Sequence, residues 1–159
     1  MKPILPPEAW AVLETRSHDP FAWLGVHEHP KGGVTVRTFK PRAAKVSLLS
    51  KGSKAQVMTR IEGTDVFEVH WKKGAFDKVY NFSIENHEGH VWEEADVYRF
   101  GPMLGEMDLH LIGEGNHFEK YRILGAHVRE HEGTQGVGFA VWAPAAERVS
   151  VVGNFNHWD

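Results

Sequence analysis

From Gly33 to Phe39 apolar and polar positions alternate. Val34, Val36 and Thr38 face one way, Thr35, Arg37 and Phe39 the other, and Pro41 then interrupts the run. A period of two marks a half-buried strand. Further short strands are predicted at 45–50, 55–61, 66–71, 79–85 and 91–94. Turn-forming stretches such as Glu62-Gly63-Thr64-Asp65 and Asn86-His87-Glu88-Gly89 separate them. At 79–85, Tyr80, Phe82 and Ile84 alternate with Asn81 and Ser83, as in a sheet with one face on a core and one in water. No helix of crossover length separates the strands, which disfavours a parallel sheet. The pattern therefore predicts a mainly β chain folded as a sandwich.

Two stretches carry a helical pattern instead. Pro6-Pro7 leads into Glu8-Ala9-Trp10-Ala11-Val12-Leu13-Glu14, with proline at the start, a carboxylate in the first turn and Trp10 and Leu13 at helical spacing. Between about 100 and 125, Met107, Leu109, Leu111 and Ile112 precede a Gly113-Glu114-Gly115 break. A second short helix follows, with Asn116 and Glu119 at capping-box spacing and Gly125 as its stop. This reads as a helical connector, too short to be stable without packing on a neighbour.

The chain also repeats itself. Leu24-Gly25-Val26-His27 returns 100 positions later as Leu124-Gly125-Ala126-His127. The run Gly33-Val34-Thr35-Val36-Arg37-Thr38-Phe39-Lys40-Pro41, continuing to Ser47, aligns without a gap on Gly136-Val137-Gly138-Phe139-Ala140-Val141-Trp142-Ala143-Pro144, continuing to Ser150, at an offset of 103. Both copies read strand, proline-containing turn, strand. The division expected is an N-terminal helix at 1–17, a first sandwich at 18–100, the connector at 101–125 and the first two strands of a second sandwich at 126–159. His27-Glu28-His29 and His87-Glu88-Gly89-His90 are read as turns. Two strands alone are marginal in water. Exposing Val137, Phe139, Val141, Val149 and Val151 would forfeit roughly 1.5–3 kcal/mol each, so the sequence is expected to be the front of a longer protein.

Composition narrows the function. A formal charge of −3 and no Lys/Arg run give no footprint for nucleic acid or an anionic membrane. The absence of cysteine removes disulfides and thiolate metal sites and fits a cytoplasmic protein. No apolar run is long enough for a signal peptide core or a membrane span.

Taken in order, Asp19-Pro20-Phe21, Leu24-Gly25, Tyr98-Arg99-Phe100-Gly101-Pro102, Asp108-Leu109-His110-Leu111, Gly113-Glu114-Gly115-Asn116-His117 and Phe139-Ala140-Val141-Trp142-Ala143-Pro144 through Gly153-Asn154-Phe155-Asn156-His157-Trp158-Asp159 resemble the N-terminal region of bacterial glycogen branching enzymes. Val97 departs from the family's usual proline. The resemblance implies an immunoglobulin-like first sandwich, then a carbohydrate-binding type of module, then a catalytic (β/α)8 barrel. In that family a carboxylate nucleophile and a second carboxylate acid/base move an α-1,4-glucan segment to a glucose 6-hydroxyl. Both carboxylates would lie beyond Asp159, so no catalytic residue and no cofactor are expected here.

Sugars are held by rings that stack on their apolar faces and by amides that bond their hydroxyls. Asn154, Asn156 and Trp158, with Trp142, are the candidate α-glucan-binding residues. The first copy has Lys51-Gly52-Ser53-Lys54-Ala55 at the place of the Asn154 motif. The alternative is that Phe155, Trp158 and Trp142 pack against a catalytic domain and Asn156 shapes a turn. Trp71 and Trp92 read as edges of the first core. His127-Val128-Arg129-Glu130-His131 has the letters of an inverted zinc-protease motif, but it follows a helix stop at Gly125 and runs into Glu132-Gly133-Thr134-Gln135-Gly136, which is expected as loop, and no metal site is predicted. The expected role is a non-catalytic segment for chain positioning or domain packing; a freestanding glucan-binding module and a purely structural scaffold are the alternatives.

Overall fold

A computed structural model of the chain describes residues 5–72, 76–154 and 158. It divides into two compact units, Met1–Gly101 and Pro102–Asp159. Among the described residues no helix is long and apolar enough to cross a membrane.

The first unit begins with helix α1, Pro7–Leu13, and a single 3-10 turn at Pro20–Ala22. Eight strands follow: β1 Gly25–Glu28, β2 Val34–Phe39, β3 Ala43–Ser50, β4 Gln56–Val57, β5 Thr59–Arg60, β6 Val66–Trp71, β7 Tyr80–Asn86 and β8 Val91–Ala95. They form two antiparallel four-stranded sheets, in the orders β1-β2-β6-β5 and β4-β3-β7-β8. The stretch expected as one strand at 55–61 is two strands in different sheets. Met58 lies between them, buried, and its N–H donates to the Val46 carbonyl at 2.9 Å, so the chain crosses the sandwich there. His27 and Glu28, expected in a turn, lie on β1; four residues without an apolar alternation carry too little signal to be read as a strand.

The alternation of β2 and β7 has the predicted consequence. Val36 from one sheet meets Val46, Leu48, Tyr80, Phe82 and Ile84 from the other in a continuous core, with Phe67 and Met58 filling the same layer. Trp71 packs against its edge, its ring edge-on to Phe76 at 5.5 Å. A second cluster lies on the outer face of the β1-β2-β6-β5 sheet, where Ala9 and Val12 of α1 join Trp23, Leu24 and Val66. The helix thus buries Ala9 and Val12, while Trp10, placed on its apolar face by spacing, is only half-buried.

The last strand of this unit is tied down by a buried polar pair. The Tyr80 hydroxyl donates to Asp96 Oδ2 at 2.5 Å, and Asp96 Oδ1 accepts from the Tyr98 N–H at 3.0 Å, starting a 3-10 turn at Val97–Arg99. Burial pushes the Tyr80 hydroxyl up from its ordinary value, and the neighbouring Asp96 charge pushes it further. Burial also raises the Asp96 carboxyl, against the downward pull of the hydrogen bonds from Tyr80 and Tyr98.

The second unit contains α2 Glu106–Gly113, α3 Lys120–Ile123 and an antiparallel hairpin of β9 Gly125–His131 and β10 Thr134–Ala140. The capping box expected from Asn116 and Glu119 is not formed. Glu119 is the N-cap of α3 without a side-chain cap bond, and the Asn116 N–H instead closes the end of α2 on the Leu111 carbonyl. The start of α2 is held by Asp108, whose Oδ2 accepts from the Gly105 N–H and whose Oδ1 lies 2.9 Å from His117 Nε2. The His117 hydrogen bond holds the Asp108 carboxyl below the usual carboxylate range.

The strands of this unit are not the pair expected. β9 is a strand that the pattern does not predict, Thr134-Gln135-Gly136, expected as loop, begin β10, and the strand expected after the Pro144 turn does not form among the described residues. In the first unit β3 is held between β4 and β7; those neighbours have no counterpart among the described residues of the second. A strand pattern without a ladder partner has nothing to fix it.

Candidate functional site

The repeat read from the letters is a repeat of geometry. Gly25 opposes Arg37, Val26 opposes Val36 and Glu28 opposes Val34; Gly125 opposes Ala140, Ala126 opposes Phe139 and Val128 opposes Val137. Shifts of 100 on one strand and 103 on the other carry the first register onto the second. The added residues lengthen the second ladder, which closes through Glu132 and Gly133, both in the left-handed region at φ 46° and 75°, as a two-residue hairpin turn requires. His27 Nε2 lies 2.9 Å from the Leu24 carbonyl oxygen, and His127 Nε2 lies 2.8 Å from that of Leu124.

That placement decides the zinc-protease letters. His127 and His131 are on a strand, with Glu130 on its opposite face by alternation. The chemistry needs both histidines on one helix face with the Glu as base.

Of the four candidate glucan residues, the structure brings two together. Trp158 Nε1 donates to Asn154 Oδ1 at 2.8 Å, and the Trp158 N–H donates to the Gly153 carbonyl at 2.9 Å. Trp158 takes φ 61°, a left-handed conformation uncommon for a bulky residue. The residue is 67% exposed, and its ring is held at the polar end by Asn154. Asn156 lies outside the described residues, as do Phe155 and His157. Trp142 is exposed beyond the end of β10 and makes no hydrogen bond or ring contact with Asn154 or Trp158 among the described residues.

The first unit has a shallow groove of about 310 Å³ over Leu49, Lys51, Val79, Asn81 and Glu93. No exposed ring lines it, since Tyr80 beneath is buried. No group of three or more His, Cys, Asp or Glu side chains is placed to hold a metal among the described residues.

An antiparallel sandwich of two four-stranded sheets, followed by a second copy of its leading hairpin, defines the class of immunoglobulin-like β modules. Comparison with known proteins makes this specific. The model of the alpha-1,4-glucan branching enzyme GlgB N-terminal domain matches residues 8–98, and that of carbohydrate-binding module 48, the isoamylase N-terminal domain, matches residues 123–159. The chain belongs to the GlgB N-terminal domain family of 1,4-alpha-glucan branching enzymes. It is 43% identical to the 1,4-alpha-glucan branching enzyme GlgB of Methylococcus capsulatus over 155 residues, 98% of this chain and 20% of that protein. The protein of the same name from Thiobacillus denitrificans is 46% identical over 144 residues, 89% of this chain and 19% of its own length. That of Rhodospirillum rubrum is 40% identical over 158 residues, with 94% and 21% covered. The chain thus spans about one fifth of the length of the curated relatives it matches.

Proposed function

We propose that this chain is the non-catalytic N-terminal segment of a cytoplasmic glycogen branching enzyme, and that its second module helps position an α-glucan. The parent reaction transfers an α-1,4-glucan segment to a glucose 6-hydroxyl, and its carboxylates lie outside these residues. The observation that carries the glucan part is the exposed Trp158 indole held by Asn154, inside the stretch that matches carbohydrate-binding module 48. An indole face stacks on the apolar face of a glucose ring. The Asn154 oxygen accepts from the indole N–H, and its NH2 group can donate to a sugar hydroxyl.

Affinity electrophoresis through glycogen-containing gels tests this reading. The 159-residue chain is expected to be retarded, and Trp158→Ala and Asn154→Ala to release it. Mobility unaffected by glycogen would remove the glucan role and leave domain packing, which the exposed Val137, Val141 and Val149 side chains favour. Incubation with amylose should yield no α-1,6 branches; branching by the chain alone would overturn the non-catalytic assignment.

A further inference from the structure

Trp71 and Trp92 are both expected at the edge of the first core, and the core takes up only one of them. Trp71 packs on the core cluster and meets Phe76 edge-on, whereas Trp92 is 43% exposed. β8, which carries Trp92, is the outer strand of its sheet. Trp92 stands opposite Ile84, and Glu94 opposite Phe82. Directly opposed residues share a sheet face. The pleat therefore sets a ring and a carboxylate side by side on an edge strand, next to two buried core residues.

These two groups are tied to each other and to the facing sheet. Trp92 Nε1 donates to Glu94 Oε2 at 3.1 Å, and Glu94 Oε1 accepts from Lys40 Nζ. Lys40 directly follows β2 of the facing sheet. Its N–H donates to the Asp65 carbonyl at 2.9 Å, and its ammonium lies 5.8 Å from the centre of the Phe82 ring. The Lys40 side chain is 18% exposed and that of Glu94 38%, so the more buried cation anchors the carboxylate at the surface. Asn154 and Trp158 share this construction, an exposed tryptophan whose indole N–H is bonded to a nearby side-chain oxygen.

The chemistry of the group selects its ligand. The ion pair carries no net charge, which favours a neutral ligand over an anion or a cation. A carboxylate has about four acceptor positions, of which the indole and the ammonium take one each, and the ammonium has further donors. Adjacent sugar hydroxyls need an acceptor and a donor at neighbouring points, and an indole suits the apolar face of a pyranose.

We propose that Trp92, Glu94 and Lys40 form a second α-glucan subsite, carried by the first module. A glucose ring lies against the indole while adjacent hydroxyls donate to Glu94 and accept from Lys40. The proposal rests on the reading that the parent enzyme acts on an α-glucan, and not on binding at Trp158.

Titration of the isotope-labelled 159-residue chain with maltoheptaose, followed by NMR of the indole N–H signals, tests it. Gel mobility sums the two rings; the indole signals separate them. The Trp92 signal, identified by its loss in Trp92→Phe, should shift saturably with a dissociation constant in the millimolar range. The same shift is expected in Trp158→Ala. Glu94→Ala should weaken binding about tenfold, with unchanged β7 backbone amides as the check that the sandwich is intact. A Trp92 signal that stays in place while that of Trp158 moves would overturn the proposal and leave the Trp158 reading standing. If neither signal moves, both are overturned. An equal Trp92 shift with sorbitol, a polyol without a ring face, would overturn the subsite as well.

Discussion

The β1–β2 and β9–β10 hairpins share a register, a left-handed opening glycine and a histidine bonded to the carbonyl three residues before it, yet Val36 is fully buried and its counterpart Phe139 is 44% exposed. The local geometry needs only the glycine, the turn and the ladder. Burial needs the facing sheet, which the first hairpin has in β3 and β7 and the second lacks among the described residues. Among the described residues the same encoded hairpin is thus part of a core in one place and exposed in the other, and its energetic weight in the 159-residue chain should differ accordingly.

The largest expected effect follows from that difference. Phe82→Ala, in the core facing Val36, should destabilise the first unit by ~3–5 kcal/mol, while Phe139→Ala should stay within about 0.5 kcal/mol; urea unfolding followed by residue-resolved NMR separates the two. A smaller contrast lies in the glycines. Both Gly25→Ala and Gly125→Ala force a left-handed alanine, worth roughly 1–2 kcal/mol. Only the first also drives a Cβ into the Tyr98 backbone, so Gly25→Ala should lower its unit's unfolding midpoint further. Equal shifts would mean that the Tyr98 contact is unimportant.

Tyr80→Phe leaves the buried Asp96 carboxylate short of a donor and should cost about 1–3 kcal/mol. It should also change the alkaline limb. Because the folded state keeps the Tyr80 hydroxyl neutral above its ordinary value of 10.0, its contribution is complete below that pH and is lost as the pH rises beyond it. The substituted protein should lose stability less steeply above pH 10 than the parent chain, as urea midpoints across that range would report. The smallest effect on stability belongs to Trp158→Ala, within about 0.5 kcal/mol. A larger loss in urea titration would mark Trp158 as a packing residue in this chain.

The legibility of the fold followed the strength of the periodic signal. Val34–Phe39 and Tyr80–Ile84 alternate strongly and were readable as strands. β1 and β9 were not, because His27-Glu28 and His127-Val128-Arg129-Glu130-His131 offer few apolar residues, and β9 gains its ladder from the Glu132-Gly133 turn. The repeat was visible from Leu24 onward, where letters coincide. Upstream, where Pro20 stands against Lys120 and Thr15 against Gly115, only the backbone hydrogen bonds reveal it. In the candidate site, Asn154 and Trp158 stood out as an amide and a ring in one short motif, and the indole–amide bond joins them. The position of Trp142 depends on how the chain runs after Pro144, which no local pattern fixes.

Residue-resolved amide hydrogen exchange of the 159-residue chain tests most directly the claim that one hairpin serves as core and its copy as surface. Amides of β2 should exchange only through unfolding of the first unit. Those of β10 should exchange by local opening, orders of magnitude faster, despite the shared register. Protection of β10 equal to that of β2 would contradict the account.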